Sequence, residues 1–140
     1  NLAGANLSGA NLSEANLTGA NLSEAGLTGA NLPHFQIVPD AGAFRGWKKL
    51  RDGLLCEVEI PADAPRTSSP VGRKCRAAWV VVCGIQDSAG VSQSEGYGRY
   101  DMMHYVVDRM VTSDDWDDDI RLECAAGIHF SITMREAEKY

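Results

Sequence analysis

Asn1 to Leu32 reads NLAGA NLSGA NLSEA NLTGA NLSEA GLTGA NL. Leu falls at 2, 7, 12, 17, 22, 27 and 32, Ala at 5, 10, 15, 20, 25 and 30, and Asn precedes every Leu except at Gly26. A spacing of five fits neither the 3.6-residue period of an α-helix nor the two-residue period of a flat strand. Such a chain must turn a corner every five residues, with Leu and Ala packed inward and Ser, Thr, Gly and Glu outward. Pro33 and Phe35 end the pattern. A proline cannot donate to a hydrogen-bonded ladder, and an aromatic ring is too large for so narrow an interior.

This repeat resembles the pentapeptide-repeat family, whose unit is written A-(N/D)-L-x-x. The resemblance implies a right-handed quadrilateral β-helix, four units to a square coil, stacking Leu2 on Leu22, Leu7 on Leu27 and Leu12 on Leu32. The stretch covers fewer than two such coils, whereas repeat arrays need about three or more units to bury a continuous core. The end at Asn1 is therefore expected to be covered by further coils or by a partner, and self-association into a homo-oligomer or a larger assembly is expected. The chain also opens inside a repeat without Met and reads as a piece of a longer protein. Some members of the family imitate a DNA duplex and bind DNA gyrase. Here the outward positions carry only Glu14 and Glu24 as acids, and a nearly neutral surface cannot imitate a phosphate backbone.

After residues 35–43, read as a linker or cap, the pattern changes at Phe44. Leu54, Cys56, Val58 and Ile60 alternate with Leu55, Glu57 and Glu59, which predicts a strand with one buried face. The Pro- and Gly-rich stretch from Pro61 to Gly72 predicts a loop. Ala77 to Ile85 is apolar on both sides, as in a central strand. Gln86 to Gly98 reads as loop, Met102 to Val111 and Ile128 to Thr133 as strands. Thr133 with Glu136 three residues on predicts a capped helix from Met134 to Tyr140. The expected architecture is a repeat segment over 1–34 followed by a small antiparallel α+β domain over 44–140.

The second part resembles a domain of unknown function that follows pentapeptide repeats in phage and bacterial proteins. The matching residues are Gly72-Arg73-Lys74-Cys75-Arg76-Ala77, Tyr100-Asp101, Tyr105, Glu123 to Phe130, Glu136-Ala137 and Tyr140. Where members of that family tend to have Gly after the Tyr105 strand, this chain has Asp108. The resemblance implies no activity or cofactor, and makes a virion component or phage accessory protein the expected setting.

The formal net charge of −6 argues against nucleic-acid binding through phosphate neutralisation. No apolar run approaches the roughly 18 residues of a membrane span. Cys56, Cys75, Cys83 and Cys124 are widely spaced without a close pair, which predicts reduced thiols and a cytoplasmic location rather than a disulfide scaffold.

Four groups of residues bear chemistry. Cys124 and His129 are a candidate catalytic pair, since a histidine can activate a thiol; the alternative is a packed Cys124 and a His129 that pins a turn through a backbone carbonyl. Cys75, His104, Cys124 and His129 have zinc-ligand chemistry but long, unpaired spacing. Arg73, Lys74 and Arg76 are candidates for binding an anion or a partner's carboxylate, or for a charged strand edge. The five aspartates flanking Trp116 lack the glycine and alternation of a calcium loop and read as a solvated acidic turn. The expected function is a non-enzymatic structural or protein-interaction module, a solenoid stem presenting a small binding head. The alternative is an enzyme or metal site centred on Cys124 and His129.

Overall fold

The computed structural model describes all 140 residues, Asn1–Tyr140. In the amino-terminal segment each five-residue unit closes a tight turn. The amides of Ala5, Ala10, Ala15, Ala20, Ala25 and Ala30 each donate to the carbonyl of the Leu three residues earlier at 2.9–3.0 Å. The residue before the alanine is Gly4, Gly9, Gly19 or Gly29, at φ 68–72°. That left-handed conformation is required at the third position of a type II turn, and glycine enters it without steric cost. Glu24 fills the same place at φ 58°. The recurrent asparagine has its own reason: Oδ1 of Asn1, Asn6, Asn11, Asn16 and Asn21 accepts the amide two residues on at 3.0–3.1 Å, the Asx turn.

The expected quadrilateral β-helix, and with it the solenoid stem, is corrected by these bonds. Residues 1–34 contain no β-strand and no sheet that closes or curls; their pairings are two isolated parallel bridges, Asn6↔Gly26 and Asn11↔Asn31. Backbone bonds between residues 19 or 21 apart, such as Leu2 N to Asn21 O and Gly26 N to Ala5 O at 2.9 Å each, tie successive passes of turns. The physical cause is competition. Every unit spends one amide on its turn and most spend another on the Asx bond, so no run of consecutive residues is left to pair as a strand.

From Phe44 the chain forms ten short strands, a three-residue 3-10 turn at Arg51–Gly53 and one α-helix. The strands and helix are β1 (Phe44–Lys49), β2 (Leu55–Ile60), β3 (Arg66–Ser68), β4 (Cys75–Ala77), β5 (Trp79–Gln86), β6 (Ser92–Gln93), β7 (Glu95–Tyr97), β8 (His104–Val106), β9 (Met110–Thr112), β10 (Ile128–Phe130) and α1 (Met134–Glu138). All strand pairs are antiparallel. One sheet runs β1-β2-β5-β6 with β9 also on β5, a second β10-β4-β3, and β7-β8 is a two-stranded ribbon. With a single five-residue helix, the domain is mostly β, which corrects the α+β expectation. The strand expected over Met102 to Val111 splits at Asp108, whose φ of 65° makes the turn where glycine is usual in the resembling family.

Cys56, Val58 and Ile60 of β2 are fully buried and meet Val80 and Val82 of β5, Cys75 and Ala77 of β4, Ile128 of β10 and Tyr105 of β8 in one core. Thr133 caps α1 by accepting the Glu136 amide at 3.2 Å, while the Glu136 carboxylate turns to the Thr133 hydroxyl and to Arg73. Two bridges join the sheets, Trp47↔Ser131 between β1 and the residue after β10, and Leu50↔Gly98 between the residues that follow β1 and β7. Leu17, Leu22 and Ala25 form a second small core in the repeat segment, with Val71 of the β3–β4 loop packed against it.

Candidate functional site

The Trp47↔Ser131 bridge leaves an open cleft of about 510 Å³. Trp47, Lys48 and Lys49 of β1 form one wall, and His129, Phe130 and Ser131 at the end of β10 another. Arg99, Tyr100 and Asp101 from the loop after β7, together with Lys74, Cys124, Gly127, Ala137 and Tyr140, complete the lining. Four bases thus face one acid, in a chain whose formal charge is −6.

Asp101 is fully engaged. Its Oδ2 is 3.0 Å from Lys48 Nζ and accepts the Tyr105 hydroxyl at 2.7 Å, and its Oδ1 accepts the Met103 amide at 3.1 Å. Burial opposes the charge on Asp101, but the Lys48 ammonium and these hydrogen bonds outweigh it and hold the carboxyl below the ordinary range. Lys48, with only 11% of its side chain exposed, also donates to the His129 carbonyl at 3.1 Å. Lys49 and Arg99 donate to the main-chain carbonyls of Glu138 and Tyr140 at 2.9 and 2.7 Å. Lys74 lies 3.7 Å from Glu123, 3.8 Å from the Cys124 sulfur and 5.2 Å from the centre of the Tyr140 ring. The Tyr140 side chain, against some burial, raises its pKa, and Glu123 adds to the rise.

Cys124 and His129 line this same cleft, and no hydrogen bond joins them. His129 donates from Nε2 to the Ala125 carbonyl at 2.9 Å, so it pins the turn before β10 and its Nδ1 is left as an acceptor. Since no buried side-chain nitrogen or oxygen lacks a partner, Nδ1 reaches the surface. Burial lowers the His129 pKa; the Ala125 bond opposes this, and Lys48, Arg76 and Lys74 lower it further. The cleft therefore holds a neutral imidazole beside an exposed thiol.

The other candidates are dispersed. Arg73 grips Glu136 through Nε and Nη2 at 3.2 and 2.9 Å. Arg76, 3% exposed, turns inward, donating to the carbonyls of Asp117, Ala126 and Asp119 and lying 5.7 Å from the Trp116 ring. Of the three bases read as one patch, only Lys74 lines the cleft; Arg73 is drawn off by Glu136 and Arg76 by the carbonyls of the acidic turn. Arg76 instead fixes the acidic turn, which explains why a run of aspartates is held against the domain. Cys75 lies in the core, its thiol pushed up to about 12 by burial. His104 stands on the ribbon, stacked on Tyr97 at 4.6 Å with Glu95 at 2.7 Å. Cys75, His104, Cys124 and His129 do not converge, and no group of three or more His, Cys, Asp or Glu side chains is placed to hold a metal ion.

Lys48, Lys49 and Arg99 are not among the residues that the sequence singles out. The run Trp47-Lys48-Lys49 was the available signal, an aromatic followed by two bases at the end of a strand.

A family model described as a family of unknown function (DUF5758) matches residues 34–137. The chain belongs to that family. A second model, pentapeptide repeats (8 copies), matches residues 1–34. Every cleft residue but Tyr140 falls inside the DUF5758 match, so the cleft is a feature of the family domain and not of the repeats. No curated protein and no solved structure matches the chain.

Proposed function

We propose that the protein is a non-enzymatic interaction module whose DUF5758 domain holds a protein partner in the basic cleft. The observation that supports this reading is a cleft with four bases, aromatic walls and no assembled catalytic set, on a chain of opposite overall charge. Concave, largely apolar sites with a few placed polar groups are where proteins bind ligands. The repeat segment lies against the same domain, with Gly19 N donating to Val71 O and Arg121 to Ala25 O at 2.8 Å each.

Cys124 makes the location testable, because it is exposed and lies in the cleft. Peptides are selected from a random display library on the full chain carrying Cys83→Ser. Binding is then compared before and after Cys124 is blocked with a bulky maleimide. The reading expects binding to be lost on blocking. Peptides that bind equally well to the blocked protein place the binding surface elsewhere and end the proposal.

A second reading, a thiol enzyme, draws on one observation: Cys124 shares the cleft with a neutral His129 whose tautomer is fixed by Ala125. It requires Cys124 to alkylate unusually fast at neutral pH and to lose that advantage in His129→Ala.

A further inference from the structure

The loop between β7 and β8 suggests what the cleft takes. Tyr100 is 72% exposed and Met102 67%, next to Arg99, whose guanidinium lies 5.3 Å from the Tyr100 ring. Met102 adopts φ 59°, a conformation a bulky residue rarely enters. It is held there by the Gly98 amide on the Met103 carbonyl at 2.8 Å and by the Asp101 carboxylate on the Met103 amide. Strained backbone of this kind clusters at functional sites, and exposed Tyr, Met and Arg are the residues enriched at protein interfaces.

The charges below that rim are unequal in availability. Lys48 is neutralised by Asp101. Lys49 and Arg99 donate to main-chain oxygens of Glu138 and Tyr140 and pair with no Asp or Glu side chain, and Lys74 faces Glu123 at a loose 3.7 Å. Three cations, Lys49, Lys74 and Arg99, therefore line a cleft whose walls include Trp47 and Phe130.

We infer that the cleft recognises an acidic peptide segment of a protein partner, its carboxylates paired with Lys74, Arg99 and Lys49 and its flanking apolar side chains laid on Trp47 and Tyr100. This rests on the interaction-module reading and gives it a ligand chemistry. Charge complementarity of this kind sets orientation and on-rate, while the aromatic rim supplies contact area. A carboxylate fits better than the alternating phosphates of a nucleic acid, because the basic area is confined to one cleft on an acidic chain.

The probe is a pair of short acetylated peptides, one with a Glu-Glu pair flanked by Leu and Phe, the other with Gln-Gln in its place, titrated into the isotope-labelled full chain. The Glu peptide is expected to shift the Trp47 indole and the amides of Lys49, Lys74 and Tyr100. Its affinity should fall about fivefold or more in Lys74→Glu/Arg99→Glu, and severalfold when salt is raised to about 1 M. Far-ultraviolet circular dichroism of the double variant checks that it is folded; Lys74→Gln/Arg99→Gln, with a smaller loss, serves if it is not. Equal shifts from the Gln peptide, or no shift from either, overturn the acidic-ligand inference. Tighter cleft binding by a single-stranded oligonucleotide of random sequence also overturns it. The parent reading is judged separately, since display-selected peptides without acids that are lost on blocking Cys124 leave a cleft binder of different chemistry.

Discussion

His129 shows how one side chain can serve the fold and mark the cleft at once. Its Nε2–H on the Ala125 carbonyl closes the turn that delivers β10, and its burial holds the pKa below the ordinary histidine value. The unfolded chain therefore takes up this proton at a higher pH than the folded one. Stability linked to His129 is complete above the ordinary value near 6.5 and falls as the pH drops through it toward the lowered folded pKa. Urea unfolding of the native chain should show a declining midpoint across about pH 7.5 to 5.5. His129→Gln, which keeps a donor for Ala125 but cannot titrate, should flatten that decline. Parallel declines in both proteins would assign the proton to another group. Asp101 acts in the same direction at lower pH, since its carboxyl is held below the ordinary range by Lys48 and loses its contribution as it is protonated.

At the scale of elements, Gly46 decides how closely β1 approaches β10. A Cβ there would lie 2.6 Å from the Phe130 ring and 3.0 Å from the Ser131 carbonyl, the residue that bridges to Trp47. Phe130 is buried and packed against Phe44 with ring centres 5.8 Å apart, so it has little room to yield. Gly46→Ala should cost about 1–3 kcal/mol through overpacking. Gly84 of β5 is the control, because a Cβ there meets nothing within 4 Å. Gly84→Ala should leave stability within about 0.5 kcal/mol, or raise it by removing backbone freedom from the unfolded chain. Equal urea midpoints for the two variants would show that β1 does not need so close an approach. β2 and β5 were legible in the sequence because alternation and an unbroken apolar run each have one structural meaning. β1 was not: FRGWKK has a glycine and three bases, and it becomes a strand through its pairing with β2. The five-residue period was legible as a chain of corners. Its resolution into Asx turns and isolated bridges was not, because amide partners are chosen in space. The cleft escaped for the same reason. Its walls come from residues 47–49, 74, 99–101 and 124–140, and no window of sequence contains them together. Cys124 and His129 were legible by type, and the Lys74 beside that thiol only as one of three bases on a strand.

For the whole molecule the decisive contact is where the repeats meet the domain. Leu17, Leu22 and Ala25 are too few to form a core that stands alone, and Val71 from the β3–β4 loop packs onto them. Two hydrogen bonds fix that contact from either side, Gly19 N to Val71 O and Arg121 Nη1 to Ala25 O, while the rest of the Arg121 guanidinium is held by Asp119. The acidic turn thus has a structural duty, positioning Arg121 on the repeats, while Arg76 fixes the turn from beneath. If docking covers the small core, the stability of the repeat segment is borrowed from the domain and not the reverse. Val71→Asp places a charge against Leu17 and Leu22 while leaving the main core untouched. Hydrogen exchange followed by mass spectrometry should then show the amides of residues 2–31 exchanging about tenfold faster or more, with Val80 and Val82 in the central strand still protected. Arg121→Ala should move the same amides in the same direction by less, since the apolar contact survives it. Unchanged protection of the repeat amides in Val71→Asp would mean that their inter-pass hydrogen bonds suffice, and that the segment folds without its domain.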